Sequence, residues 1–224
     1  MRRVLNDAET QRVAVLDEQQ CSDVARRLDA VRAHWVRRSE HFHTVGAATY
    51  LDVCGGGGSL EQYRTRLETC NPLLDSVFGD ILERVRQALT DLVSAPCGFA
   101  PDLARPGFHL FLPPSLDEAK RDVLHLDLQH CHLPIDADVF TKSLTFTLPI
   151  EIPHVGAGIE FCRPTALDKR GQLTVQPYVL GELFVHSGRT LHRRAHVPGT
   201  GDSRRITMQG HAFSHEGKQW MLYW

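Results

Sequence analysis

Residues 124–130 read LHLDLQH. Successive side chains of an extended chain point to opposite sides, so His125, Asp127 and Gln129 share one face and Leu124, Leu126 and Leu128 the other. An imidazole and a carboxylate two residues apart project side by side and can share one metal ion. A third ligand completes a two-histidine, one-carboxylate face, which leaves other positions of an octahedral ion open. HxD is short and recurs by chance, so the third ligand has to come from elsewhere. The stretch GELFVHSGRTLHRRAHV (181–197) offers it: a strand, a Ser-Gly turn, then His192, with Arg205-Ile206-Thr207 starting 13 residues later. His186, before the turn, and His196, after it, are the alternatives to His192.

These residues need elements to hold them. From residue 107 the apolar period is two. GFHLFL (107–112), LHLDLQH (124–130), SLTFTLPIEI (143–152), GELFVHS (181–187), RRITMQGHAF (204–213) and QWMLYW (219–224) all read as strands. Leu144, Phe146, Leu148 and Ile150 oppose Ser143, Thr145 and Thr147; Ile206 and Met208 oppose Arg205, Thr207, Gln209 and His211. A solvated face favours Lys, Glu and Arg. His, Gln and Thr suit a wet pocket inside a β-roll better. Upstream the chain reads as helical. VAVLD (13–17) suggests a short strand, and residues 18–38 a helix with Val24, Leu28, Val31 and Trp35 in step. Ser59 with Gln62 makes a capping-box start. Asn71-Pro72 reads as N-cap and N1 of a helix to about Val93. Its stripe of Leu74, Val77, Phe78, Ile81, Val85, Leu89 and Leu92 is core packing. CGGGG (54–58) predicts a loop that either closes over the pocket or simply lies on the surface. Helices followed by short strands predict an α+β chain: a double-stranded β-helix (jelly roll, cupin-like) with N-terminal helices packed against one sheet. Residues 1–224 read as a single domain, helix-rich to about 104 and a jelly-roll core from about 105.

Taken together, His125-Leu126-Asp127, the turn from Gly181 to Gly188, His192, and Arg205 with Thr207 resemble the 2-oxoglutarate/Fe(II)-dependent dioxygenase superfamily. The pattern spans residues 107–213. The resemblance implies that His125, Asp127 and His192 are catalytic iron ligands and that 2-oxoglutarate chelates the metal, leaving a position for O2. It implies Arg205 on the far carboxylate, where a permanently charged planar fork is needed, with the Thr207 hydroxyl beside it. Arg204 takes that place only if a bulge shifts the register. His109, on the strand before HxD, faces the pocket and is placed with the co-substrate or as a satisfied interior histidine. Gln129, Gln209 and His211 are placed near substrate, as partners of the ligands, or as barrel filling. The activity implied is oxidative decarboxylation to succinate and CO2 coupled by default to hydroxylation of a C–H bond, with desaturation and ring closure as the open alternatives. Halogenating members lack the carboxylate that Asp127 supplies.

Bulk properties narrow the partners. A net charge of −2 gives no global basic signal, and no basic groove with interleaved aromatics is evident, which argues against nucleic acid. No apolar run reaches the length of a membrane span, and no signal peptide is evident. Six scattered cysteines without CxxC read as free thiols of a cytoplasmic protein. A small molecule, either an amino acid or a natural-product intermediate, is the expected substrate, with a peptide or protein target as the main rival; oligomeric state is open. His130 and His132 flank Cys131 as loop residues or a second metal site, and Arg189, Arg193 and Arg194 surround His192 as a solvated face or an anion site. Two other readings use the same triad: a zinc hydrolase, in which Arg205 has no task, and a non-catalytic cupin-like metal or ligand binder.

Overall fold

The computed structural model describes residues 10–54, 58–113, 123–137, 141–154, 156–163, 171–195, 203–214 and 218–224. The main sheet is built from β1 (Thr10–Ala14), β2 (Val36–Arg37), β3 (Phe42–Val45), β4 (Cys97–Phe99), β5 (Gly107–Phe111), β6 (Lys142–Glu151), β9 (Glu182–Ser187), β11 (Arg205–Ser214) and β12 (Trp220–Tyr223). Its order is β1-β9-β6-β11-β5-β3-β2; β12 pairs with the far end of β11, and β4 runs parallel to β12. A smaller sheet has the order β10-β7-β8, from β10 (His192–Arg194), β7 (Gly158–Arg163) and β8 (Gln172–Pro177). The two sheets are the layers of a jelly roll.

The outer face of the main sheet is apolar. Leu144, Phe146, Leu148, Ile150, Leu183, Val185, Ile206 and Met208 pack there against α1 (Glu18–Ala30) and α3 (Leu60–Val93) in one core. Each such fully buried side chain is worth about 1.5–3 kcal/mol relative to exposure, so this face fixes the register. Shifting β6 by one residue would bury Thr145 and Thr147 against the helices instead. The inner face then has no choice but to be polar. Across it, His186, Thr145, His211 and Tyr223 stand in one cross-strand row on β9, β6, β11 and β12.

Several local expectations are corrected. LHLDLQH is no strand: only His125 forms an isolated bridge, with His192, and Gln129–His132 is a 3-10 turn. Its partner chain turns at residues 188–190, so no continuous ladder is available. The leucines are not its buried face either, since Leu126 is 43% exposed. The first strand lies at 10–14 rather than 13–17. α1 stops at Ala30, where the Trp35 indole donates to the Leu28 carbonyl and folds the chain back. α3 starts at Ser59, which caps the Gln62 amide, and runs unbroken through Pro72. Asn71 does not cap: its amide binds Leu103 O and Arg105 N in a neighbouring loop. β2, β3, β4, β7, β8 and β10 carry no signal strong enough to have been predicted. β1, β3 and β4 bring parts of the first 104 residues into the main sheet.

A candidate metal centre between the sheets

The HxD segment is stitched to the β9–β10 connection. His125 and His192 exchange backbone hydrogen bonds of 2.9 and 3.0 Å, and the Asp127 amide donates to Gly188 O at 2.7 Å. Gly188 also donates to Ser143 O on β6, which ties the turn to the main sheet. A Cβ at Gly188 would meet Ser143 Oγ at 2.5 Å and Asp127 O at 2.7 Å, so only glycine permits this approach. Gly181, at φ +72°, supplies the left-handed residue before β9.

These contacts bring the three predicted ligands together. One donor atom from each of His125, Asp127 and His192 lies within 4.8 Å of the others. His192 Nε2 is 3.2 Å from Asp127 Oδ2, and His125 Nε2 is 3.8 Å from Oδ1. Both imidazoles use Nδ1 on a carbonyl: His125 on Val123 O at 2.8 Å, His192 on Thr190 O at 2.7 Å. A carbonyl accepts only, so Nδ1 must carry the proton, and in the neutral ring Nε2 keeps its lone pair for a metal. The carboxylate is held from both sides. Gln129 Nε2 donates to Oδ1 at 2.9 Å and Thr145 Oγ1 to Oδ2 at 2.6 Å. Thr145 Oγ1 in turn lies 3.2 Å from His211 Nδ1. Asp127 and His192 are buried, while His125 stands at the lip.

Without a cation the charges lean on one another. Burial alone would raise the Asp127 carboxyl; the imidazoles of His192, His211 and His125 hold it well below its ordinary value. Burial would lower His192, and the Asp127 charge holds it above the ordinary imidazole range. His186 is different. Burial pushes it down to about 3, so it stays neutral. Its Nδ1 is 2.9 Å from Ser187 O, its ring is edge-on to His192 at 4.5 Å between centroids, and its Nε2 is buried with no partner among the described residues. It is not one of the three clustered donors.

The inner face of the main sheet continues from the cluster toward the start of β11. Phe161 and Phe184 pack beside His186, and Gln209 and Thr147 pair across the sheet. Thr207 pairs with His109, and Arg205 with Phe111. Thr207 Oγ1 is buried without a hydrogen-bond partner among the described residues. Arg205 is 3% exposed and lies over the rings of Phe111 and Tyr178 at 5.4 and 5.6 Å. Arg204 points outward to Glu151 and Asp29. A bulge does occur, between Ile206 and Thr207 against β6, but it leaves Arg205 inside. His109 Nε2 is 2.7 Å from the Tyr50 hydroxyl. Gln129 thus binds the carboxylate directly, and His211 reaches it through Thr145. His130 is buried and His132 exposed; neither joins the only clustered donor set among the described residues. His196 and residues 55–57 of the glycine run lie outside the described residues. Thr145 is the residue the sequence reading underused: it sits on the polar face, but nothing local shows that it meets Asp127.

Among solved structures the chain is similar to an oxidoreductase of the 2OG-Fe(II) oxygenase family from Burkholderia pseudomallei. That match has 13% identity, covers 89% of this chain and 82% of the other, and has a TM-score of 0.52. SnoN, a non-haem α-ketoglutarate-dependent epimerase from nogalamycin biosynthesis, matches at 14% identity over 91% and 79%, TM-score 0.51. AviO1 from Streptomyces viridochromogenes matches at 14% over 95% and 96%, TM-score 0.51. No protein-family model and no curated protein matches the chain. At these identities the likeness establishes the fold: the chain adopts the jelly roll found in 2-oxoglutarate/Fe(II) oxygenases.

Proposed function

We propose that the chain is a 2-oxoglutarate- and Fe(II)-dependent oxygenase that hydroxylates a C–H bond of a small molecule, either an amino acid or a natural-product intermediate. The observation that carries this reading is the His125–Asp127–His192 cluster, with three donors within 4.8 Å and both Nδ1 atoms already committed to carbonyls. The donor set fits Fe(II): two neutral imidazoles and one carboxylate, with room for further ligands. Fe(II) held there supplies dioxygen activation coupled to decarboxylation of the keto acid to succinate and CO2.

The chain's own residues do the rest. Thr145 and Gln129 fix the two oxygens of Asp127, so the carboxylate cannot swing away when the pocket fills. Arg205 binds the distal carboxylate of 2-oxoglutarate, with the Thr207 hydroxyl, which has no hydrogen-bond partner among the described residues, donating to the same group. Phe161 packs against His192 and Phe184, which puts an apolar wall beside the ligands. His109 and Tyr50 form the neighbouring wall. The six cysteines are free thiols, which suits a reducing, cytoplasmic setting; among the described residues no helix is long and apolar enough to cross a membrane. The test is succinate formation with candidate substrates. It should require both Fe(II) and 2-oxoglutarate and be lost in Arg205→Ala. Full turnover without 2-oxoglutarate, or hydrolysis by a zinc-loaded protein, would refute the assignment.

A further inference from the structure

One arginine on the inner face of the small sheet has no task in the reading above. Phe161 of β7 pairs with His192 of β10 and shares its side of the sheet; its ring is 6.1 Å from that of His192 and 5.2 Å from that of His186 on β9. Arg163 lies two residues further on and therefore on the same side, its guanidinium carbon 5.1 Å from the centre of the Phe161 ring. The pairing runs on to this point, since Cys162 N donates to Leu191 O. Arg163 thus stands level with the turn at 188–190, to which Asp127 is bonded. The opposite direction along β10 leads from His192 to Arg194, over the Phe111 ring that Arg205 also approaches. Arg163 and Arg205 therefore lie on opposite sides of the ligand row. Glu160, the carboxylate on β7, faces away and pairs with Arg193.

Nε and Nη2 of Arg163 are buried and have no hydrogen-bond partner among the described residues. These two nitrogens form one edge of the guanidinium. Elsewhere in the chain that same edge grips both oxygens of a carboxylate: Arg86 on Glu83, Arg105 on Asp75 and Arg204 on Glu151. The residue as a whole is only partly buried, so the group stands at a rim. A dehydrated guanidinium without an anion is costly to hold, and an anion delivered to it recovers that cost.

We propose that Arg163 is a specificity-determining residue that takes a carboxylate of the primary substrate by its Nε–Nη2 edge, so that carboxylic acids, amino acids among them, are selected over neutral molecules of the same shape. This rests on the oxygenase reading above and narrows it. Two donors on one edge match the two oxygens of a carboxylate. Two residues of strand, about 7 Å, separate Arg163 from the level of His192. The carboxylate therefore lies several bonds from the C–H presented to the metal, and the chain between them runs over Phe161. In an amino acid that puts the reacting carbon out along the side chain and not at Cα.

The test is calorimetric titration of full-length protein loaded with Co(II) and saturated with 2-oxoglutarate, without oxygen. The probes are the common L-amino acids and butanoate to octanoate, each beside its primary amide. At least one acid should bind roughly ten- to a hundredfold more tightly than its amide, the usual worth of a charge-assisted hydrogen bond. Arg163→Gln, which keeps much of the stem on Phe161, should remove that difference and leave the affinity for 2-oxoglutarate unchanged. Arg163→Lys, which keeps the charge without the fork, should recover part of it. An unchanged preference in Arg163→Gln, equal loss of acid and amide, or tighter binding of alkyl phosphates of the same chain lengths overturns the carboxylate site. If Co(II) and 2-oxoglutarate bind and no acid gains over its amide, the Arg163 site is wrong and the oxygenase reading stands. If the Co(II) protein does not take up 2-oxoglutarate, both readings fall.

Discussion

Replacing Thr145 by Val tests whether the carboxylate of the centre is held from below. The change is nearly isosteric and leaves the β6 backbone ladder untouched. It removes the 2.6 Å hydrogen bond to Asp127 Oδ2 and the acceptor that faces His211 Nδ1 at 3.2 Å. A hydrogen bond to a charged group is worth about 1.5–3 kcal/mol, and losing a partner that orients a metal ligand commonly costs about 10–100-fold in affinity. Gln129 still holds Oδ1, so the carboxylate keeps one of its two anchors and the loss should be partial. Co(II) affinity, read by competition with a chromophoric chelator, should therefore drop by about tenfold or somewhat more. Thr145→Ser restores the donor and should restore most of the affinity. Equal Co(II) affinity in wild type and the Val variant would show that Thr145 does not orient Asp127. Equal loss in the Ser and Val variants would show that packing, not the hydroxyl, is responsible.

Three further outcomes follow from the same geometry. Metal must displace a proton from His192, whose pKa the buried Asp127 charge holds above the ordinary 6.5 despite burial; Co(II) affinity should thus rise with pH through a midpoint above that value, and a flat profile from pH 6 to 8.5 would contradict it. Burial holds His186 down to about 3 in the folded chain. The unfolded chain takes up that proton near pH 6.5, so stability falls as pH drops below 6.5, by about 2 kcal/mol at pH 5. Urea denaturation at pH 7 and 5 should show this loss shrinking in His186→Phe, and an unchanged pH slope would count against it. Gly188→Ala should push the turn away from Asp127 O and Ser143 and weaken Co(II) binding by about tenfold or more while circular dichroism still reports a folded chain; unaltered binding would mean the close approach is not needed.

Much of this site was legible from spacing because it is a matter of strand alternation. On β6 and β11 the period of two separates Leu144, Phe146, Ile206 and Met208 from Thr145, Thr147, Arg205 and Thr207, and the structure keeps that division. The same rule misread LHLDLQH. Its alternation is real, but the segment is pinned at His125 and Asp127 to a turn rather than to a strand, and its leucines line an outer lip. Pro72 misled in the opposite way, because propensity near one residue is weaker than the packing of a 34-residue helix against the main sheet.

The order of residue types along the chain determined which side chains had the chemistry to hold a metal: an imidazole and a carboxylate two residues apart, and a later histidine that the family resemblance picked out from among thirteen. Which groups meet across the chain was decided only by the tertiary structure. Thr145 beneath Asp127 and His186 edge-on to His192 are contacts between different strands or layers. Register and sheet packing set such distances, and both depend on how the whole apolar face finds its partner.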